Sequence, residues 1–444
     1  MKRERLAWTI SLILILILAF HLPGTLAERD DDYEFVRTLV DIHRLIDANY
    51  VEPVDDNALH EKAIDGMLSD LDPFSVYIPP AEQEDFDRML DNSFRGVGIQ
   101  LEMQDGKAMV ETPIFGSPAY EAGVLAGDVI LKVNGQSIDG LELPDIVKLI
   151  TGPVGSSVTL TVEHDSGQTA DLTMTRREIV VSTVDGYQRR PDASWDYYCV
   201  DKPKIAYLRI TQFTENTYDE LRAAMLGTPA SDNKPAVPGI VDTGMKGLIL
   251  DLRFNPGGRL DQAIKVVNMF IKDGVIVSTK GRNRPEDIVR ADGKGTLTNF
   301  PMIVLVNEHS ASAAEIVSGS LKDNHRALIV GTRTFGKGSV QELIPLEDNG
   351  GELKLTVAYY YLPSGRLVHR KKGATDWGVE PQLVVPMDDD TERQVIEMRE
   401  AREAIRGPST RPAIAETAPT TEPTDIQLQT AINTMVGDLV LHGQ

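Results

Sequence analysis

Three strand-like runs in the second half of the chain, KIAYLRI at 204–210, GLILDLR at 247–253 and PMIVLVN at 301–307, are separated by stretches of helical periodicity, among them Leu260 to Phe270 and Ala313 to Lys322. Strands that alternate with helices favour a sheet with crossover helices, so this region is predicted to be an α/β core. Ahead of it, from Phe94 to Arg176, the texture changes. Short runs, GVGIQLE, AMVETPI, DVILKVNG and SVTLTVEH, are punctuated by glycine turns, and the Asn134-Gly135 pair suits a tight turn of positive φ. A β-rich module of this length can fold by itself. At 444 residues the chain exceeds what one hydrophobic core usually serves.

The ends differ again. Lys2, Arg3 and Arg5 precede an apolar run around Leu12 to Ala19, the breakers Pro23 and Gly24 follow, and Thr25, Leu26 and Ala27 match a small-residue processing site. Cleavage of a signal peptide is expected after Ala27. The competing reading is an uncleaved anchor, since Leu6 to Leu22 approaches the ~17 residues that just span a bilayer. Both put the remainder outside the cytoplasm. Phe35, Val36, Leu39, Val40, Ile42, Leu45 and Ile46 recur at helical spacing, as does a second stretch from Leu59 to Leu68. Thr228 to Pro238 reads as a surface insertion. Gly407 to Thr424, dominated by Pro, Thr, Ala and Glu, cannot bury a core and reads as a linker ahead of an amphipathic segment, Ile426 to Leu441. The expected organisation is a signal peptide over 1–27, a helical segment over 28–92, a β-rich module over 93–178, the α/β core over 179–405, a linker over 406–424 and a C-terminal helix over 425–444.

Several functions are disfavoured by composition. A formal charge of −22 argues against nucleic acid or an anionic membrane surface as the main partner. The single cysteine, Cys199, permits no intramolecular disulfide, and its Tyr197, Tyr198, Val200 surroundings offer no activating base. The eight histidines show no metal-ligand spacing, and TFGKGSV lacks the spacing of a nucleotide-binding loop. Neither metal nor cofactor is expected.

Three segments can carry chemistry. NEHSASAAEIVSGSLKD follows an apolar strand and opens a helix, so Ser310 and Ser312 sit where backbone N–H groups favour developing negative charge. The plain alternative is a helix cap, because Ser312 with Glu315 three residues on is a capping-box pattern. His309, His325 and His369 are unsupported as bases. Lys337, flanked by Gly336 and Gly338 and with no acid beside it, can act as a base if burial keeps it neutral. Gln341 lies four residues on, on the same face, and could orient a neutral amine. The third segment, GLILDLRFNPGGRL, ends in glycines whose N–H groups, with that of Ala313, could form an oxyanion hole; its alternative is an ordinary strand-to-helix turn.

Taken together, DLRFNPGG, SASAAEI and TFGKGSVQ resemble the carboxyl-terminal processing proteases, or tail-specific proteases, a family of Ser/Lys serine endopeptidases. GMLSDLDPFSVYIPP is similar to the region ahead of that family's PDZ domain, and FRGVGIQL with GSPAYEAGVLAGDVILKVNGQSI looks like PDZ strands. The resemblance implies an α/β protease core with a β-rich PDZ domain and helical N- and C-terminal segments. It places the nucleophile on Ser312, the base on Lys337, the supporting glutamine on Gln341 and the oxyanion donors on Ala313 and on Gly257 or its neighbour Gly258. Gly96, Val97 and Gly98 become the loop that meets a peptide carboxylate while the peptide adds to a strand edge. Arg176 matches an arginine that couples peptide binding to the active site, with a surface arginine as the alternative. Phe254 stands where the family more commonly has a polar residue. Implied partners are polypeptides with accessible C-termini and further copies of the chain, in a periplasmic or otherwise extracytoplasmic location; an adaptor protein and an inner-membrane tether are left open. The competing class is a PDZ-bearing envelope scaffold whose core is gated or inactive.

Overall fold

The structure, a computed structural model, describes residues 34, 36–230, 235–347, 350–405 and 424–442. The apolar N-terminal run, the cleavage site and nearly all of the Pro/Thr-rich segment lie outside the described residues. The chain divides into two compact units between Tyr77 and Ile78. The first contains a helix over 36–49 and the helix Asp56–Leu68, whose N-cap Asp55 accepts from the Asn57 and Ala58 amides. Both fall where helical spacing predicts them.

In the second unit, four strands form the centre of a sheet, Lys204–Ile210, Gly247–Asp251, Met302–Val306 and Leu328–Gly331, paired in parallel in that order. Parallel strands are covered on both faces, which explains why these read as continuous apolar runs rather than as alternation. Ala206, Leu208, Leu250, Val304 and Ile329 face the helices Leu260–Phe270 and Ala313–Asp323. Ile205, Tyr207, Ile249, Ile303, Leu305 and Val330 face Leu428, Ala431, Met435 and Leu439 of the helix Ile426–Leu441. Contact on that side is close, since a Cβ on Gly247 would come within 2.6 Å of the Met435 sulfur.

A second, antiparallel sheet includes Val275–Gly281, Arg284–Arg290, Ser339–Pro345 and Glu352–Tyr361. The surface insertion is pinched by a short pairing of Gly227–Thr228 with Val237–Pro238. Between Phe94 and Arg176 the chain builds an antiparallel sheet with its own core of Val110, Ile130, Val158, Leu160 and Val162. Asn134 and Gly135 turn its hairpin at φ of 52° and 79°, as the dipeptide requires. Strand Ile99–Gln104 lies at one edge of this sheet, with helix Leu143–Ile150 beside it. Ser93–Gly96 pairs with Arg177–Val180 and closes the module where the chain enters and leaves it.

Candidate active site

Three of the four central strands end in the segments singled out from sequence. Gly247–Asp251 runs into Arg253 to Gly258, Met302–Val306 into Asn307 to Ser312, and Leu328–Gly331 into Thr334 to Lys337. Adjacent parallel strands deliver all three to one end of the sheet, the carboxyl end at which α/β folds bind ligands.

Ser312 and Glu315 do form the capping box. The Glu315 carboxylate accepts from the Ser312 N–H at 2.9 Å. An ordinary N-cap residue is extended, however, and Ser312 has φ 53° and ψ −114°. That left-handed conformation costs a non-glycine residue about 1–3 kcal/mol and is what a sharp strand-to-helix elbow imposes on an exposed hydroxyl. Ser310, in the same turn, is completely buried, and its hydroxyl donates to the Leu252 carbonyl at 2.7 Å. Ser310 therefore braces the turn, whereas Ser312 is half-buried at its tip.

The Glu315 carboxylate extends well past its capping role. It is fully buried and also accepts from the Thr334 hydroxyl at 2.6 Å, the Gly336 N–H at 2.7 Å and the Lys337 N–H at 2.8 Å. One side chain thus ties the Lys337 loop to the start of the Ser312 helix. Burial raises its pKa above the ordinary value even though all four donors favour the ionised form. Tyr360, also buried, makes a second clamp, its hydroxyl donating towards the carbonyls of Lys337 at 2.6 Å and Ser312 at 3.1 Å. Burial, with the nearby Glu315 carboxylate, pushes the phenol well up, so it remains a donor. The flanking glycines allow the loop to pack: a Cβ on Gly336 would meet the Trp377 side chain at 2.7 Å, and one on Gly338 the main-chain nitrogen of His369 at 2.4 Å.

Gly257, at φ 100°, lies directly against the serine, where a Cβ would come within 2.6 Å of the Ser312 Cβ. Its N–H donates to the Asn255 side-chain oxygen at 2.8 Å. On either side of Gly258, the Gly257 carbonyl and the Arg259 N–H are bonded to Phe213 at 2.9 and 2.7 Å. Ala313 is the first helical residue, where the helix supplies its N–H with no acceptor. Gln341 lies on the strand Ser339–Pro345, and its amide donates to the hydroxyls of Ser339 at 2.9 Å and Thr356 at 3.1 Å. Lys337 precedes that strand, whose pairing shifts register between Val340 and Gln341, so strand alternation does not put Gln341 on a shared face with Lys337.

Beneath the loop, Arg253 is held by Asp251 and Asp425, with guanidinium–carboxylate distances of 2.6 and 2.8 Å, all three side chains being almost fully buried. Burial alone would push the Asp251 carboxyl up, but the Arg253 guanidinium holds it below its ordinary value, and Arg253 is raised well above its own. Asp425 is the N-cap of helix Ile426–Leu441, so this helix grips the strand that carries the glycine loop.

The histidines occupy other positions. His309 stacks on the Phe254 ring at 5.5 Å, and His369 packs beside Tyr359 at 4.8 Å. His325 borders Met302 and Gln382, near where the central strands begin. Glu308, His309 and Glu392 bring ligand-type atoms within 4.8 Å of one another. Two of the three are already engaged, Glu308 by the Thr332 hydroxyl at 2.6 Å and Glu392 by the Asn307 amide at 3.1 Å. Burial pushes the Cys199 thiol up to about 12, which leaves it protonated filler. Val97 is buried and Gly98 takes φ 79°, with no room for a Cβ against Ser117, at the head of edge strand Ile99–Gln104. Arg176 is not a surface residue: it is buried and donates to the carbonyls of Leu149, Ile150 and Ser157 and to the Ser156 hydroxyl, capping helix Leu143–Ile150 within its own module.

Three stretches of the chain match known family models. Residues 204–385 match the model of peptidase family S41, residues 109–164 the PDZ domain, and residues 23–81 the activating protease CtpB N-terminal domain. The carboxy-terminal-processing protease of Bartonella bacilliformis is 41% identical over 364 residues, 81% of this chain and 77% of that protein. The carboxy-terminal processing protease CtpA of Bacillus subtilis is 35% identical over 346 residues, 78% of this chain and 67% of the relative. A solved structure described as an S41 protease of Bacteroides fragilis shares the fold at a TM-score of 0.51 and 19% identity, covering 88% of this chain and 91% of that one. An α/β core, a PDZ module and identity of this extent establish that the chain belongs to the carboxy-terminal processing proteases, the serine-type peptidases of family S41.

Proposed function

We propose that the chain is an exported serine endopeptidase that takes accessible C-terminal tails on its PDZ module and cleaves unfolded or tagged envelope proteins through a Ser/Lys acyl-enzyme mechanism. Lys337 removes the Ser312 hydroxyl proton as the oxygen attacks the scissile carbonyl, and passes it to the leaving amine. A water then gives a proton to Lys337 as its oxygen attacks the acyl carbon, and Lys337 returns that proton to the Ser312 oxygen as the ester bond breaks and the acid product leaves. The Ala313 N–H and a glycine N–H of the Gly257-Gly258 pair hold the oxyanion. Gly258 is the better candidate, because the Gly257 N–H is bonded to Asn255. Gln341 supports the amine. The observation that carries this reading is the Glu315 carboxylate, which binds the main chain of Ser312 and Lys337 together.

Tail recognition is assigned to the edge of strand Ile99–Gln104, with Gly96, Val97 and Gly98 meeting the terminal carboxylate. The expected domain boundaries, 93–178 for the PDZ domain and 179–405 for the core, belong to the same proposal, as does a periplasmic or otherwise extracytoplasmic location following from the N-terminal segment. Exposed Val36, Val40, Ile42 and Leu45 on the N-terminal helix support self-association. The Gly257–Asn255 bond favours a second reading, a PDZ-bearing scaffold whose core is gated or inactive. Purified chain is incubated with a denatured protein: cleavage that disappears in both Ser312→Ala and Lys337→Ala, with each variant folded by circular dichroism, supports the enzyme. Full activity of Lys337→Ala removes the dyad, and no cleavage by the wild type favours the scaffold.

A further inference from the structure

Phe254 opens the loop that brings Gly257 against Ser312, and it is held more firmly than a turn residue needs. Its φ is 61°, unusual for a residue with a side chain. Its ring stacks on the His309 ring at 5.5 Å and 17°, and the Arg399 guanidinium lies 5.4 Å from the ring centroid. Its N–H donates to the Asn307 side-chain oxygen at 2.9 Å, and the Asn307 amide donates to Glu392 at 3.1 Å. Ring and main chain therefore both lead to one element, the helix Asp389–Glu403. Glu392, Val395 and Arg399 follow at i, i+3 and i+7, a single helical face, with Val395 and Arg399 buried. Beyond the helix end, the Ile405 N–H donates to the Thr112 hydroxyl at 3.0 Å and its carbonyl accepts from the Ala126 N–H at 3.4 Å, both in the PDZ module.

We propose that Arg399 and Glu392 are positioning residues for the oxyanion loop, acting through Phe254 and Asn307, so that the seating of the helix Asp389–Glu403 sets the geometry beside Ser312. The inference rests on the proposed Ser/Lys mechanism. A buried guanidinium over an aromatic face is a directional contact, and a small displacement of an oxyanion donor is felt in turnover rather than in substrate binding.

The test uses the full chain with Arg399→Ala, Arg399→Lys, Phe254→Leu and the double variant Arg399→Ala/Phe254→Leu, measuring kcat and KM on a peptide and the denaturation midpoint of each. Arg399→Ala is expected to lower kcat about tenfold with KM within about twofold. Arg399→Lys should recover most of the loss, and the double variant should be no slower than the slower single one, because the contact is already gone. Unchanged kcat, losses that multiply in the double variant, or a change in midpoint alone overturns the inference. Should Arg399→Ala fail to fold, Glu392→Gln and Phe254→Leu carry the test, and wild-type kcat in both overturns it. Absence of Ser312-dependent cleavage in the wild type would instead sink the mechanism itself.

Discussion

Replacing Glu315 by glutamine keeps the shape of the side chain and removes half of its acceptors. The carboxylate receives the Ser312 and Lys337 N–H groups on one oxygen, and the Thr334 hydroxyl and Gly336 N–H on the other. A glutamine offers one oxygen and one NH2, so whichever way it turns, its donors face donors. The cheaper orientation points the NH2 at Thr334, whose hydroxyl can rotate, and leaves the buried Gly336 N–H unsatisfied. Losing charge-assisted bonds of about 1.5–3 kcal/mol each, offset by no longer burying a charge in a site that already raises its pKa, gives a net destabilisation of about 2–4 kcal/mol. The Lys337 loop then loses its tie to the Ser312 helix, and kcat should fall on the order of a hundredfold. Denaturant titration followed by fluorescence gives the first quantity, and steady-state cleavage of a peptide the second. A Glu315→Gln variant with wild-type midpoint and wild-type kcat would refute the view that this carboxylate assembles the site.

Two further expectations come from buried charge. Asp425→Asn leaves Arg253 buried with one anion where it had two, and should cost about 2–4 kcal/mol by thermal or chemical denaturation; an unchanged midpoint would show that the C-terminal helix docks without this contact. Glu403 has its carboxyl raised to about 7 by burial, against the opposing pull of Arg209, with Asp185 adding to the rise and Arg399 and Arg402 opposing it. A raised folded value favours the protonated form, so its contribution is fully present below about pH 4.5 and is lost as the pH rises through about 7. Glu403→Gln should therefore gain roughly 1–3 kcal/mol relative to wild type at pH 8 and little at pH 4; an equal gain at both values counts against the assignment.

What the sequence made legible was local. Apolar runs of strand length alternating with helical periodicity predicted the α/β core, and Asn134-Gly135 its hairpin turn, because each depends on neighbours within a few residues. The three segments at the strand ends could be recognised for the same reason. Residues that join segments left little trace. Glu315 was visible as a cap, but its bonds to Thr334, Gly336 and Lys337 cross about 20 residues of chain. Arg253 and Asp425 are 172 residues apart, and nothing in either stretch announces the other. Tyr360 sits in a Tyr-rich strand where any of three phenols could have been the one that turns inward. The four-residue spacing of Lys337 and Gln341 puts them on one face only within a single regular strand or helix, and the strand begins only after Lys337.

The helix Ile426–Leu441 packs on one face of the central sheet yet follows the last sheet strand, Leu383–Val384, by some forty positions of sequence. During synthesis the strands bearing the glycine loop, Ser312 and the Lys337 segment are all made before the surface that must shield Ile249, Ile303 and Leu305 exists. Until that helix arrives, Arg253 lacks Asp425 and one side of the sheet is wet. A growing chain thus carries its three strand-end segments in an unfinished frame, and completion of the fold waits for a helix that lies outside all three.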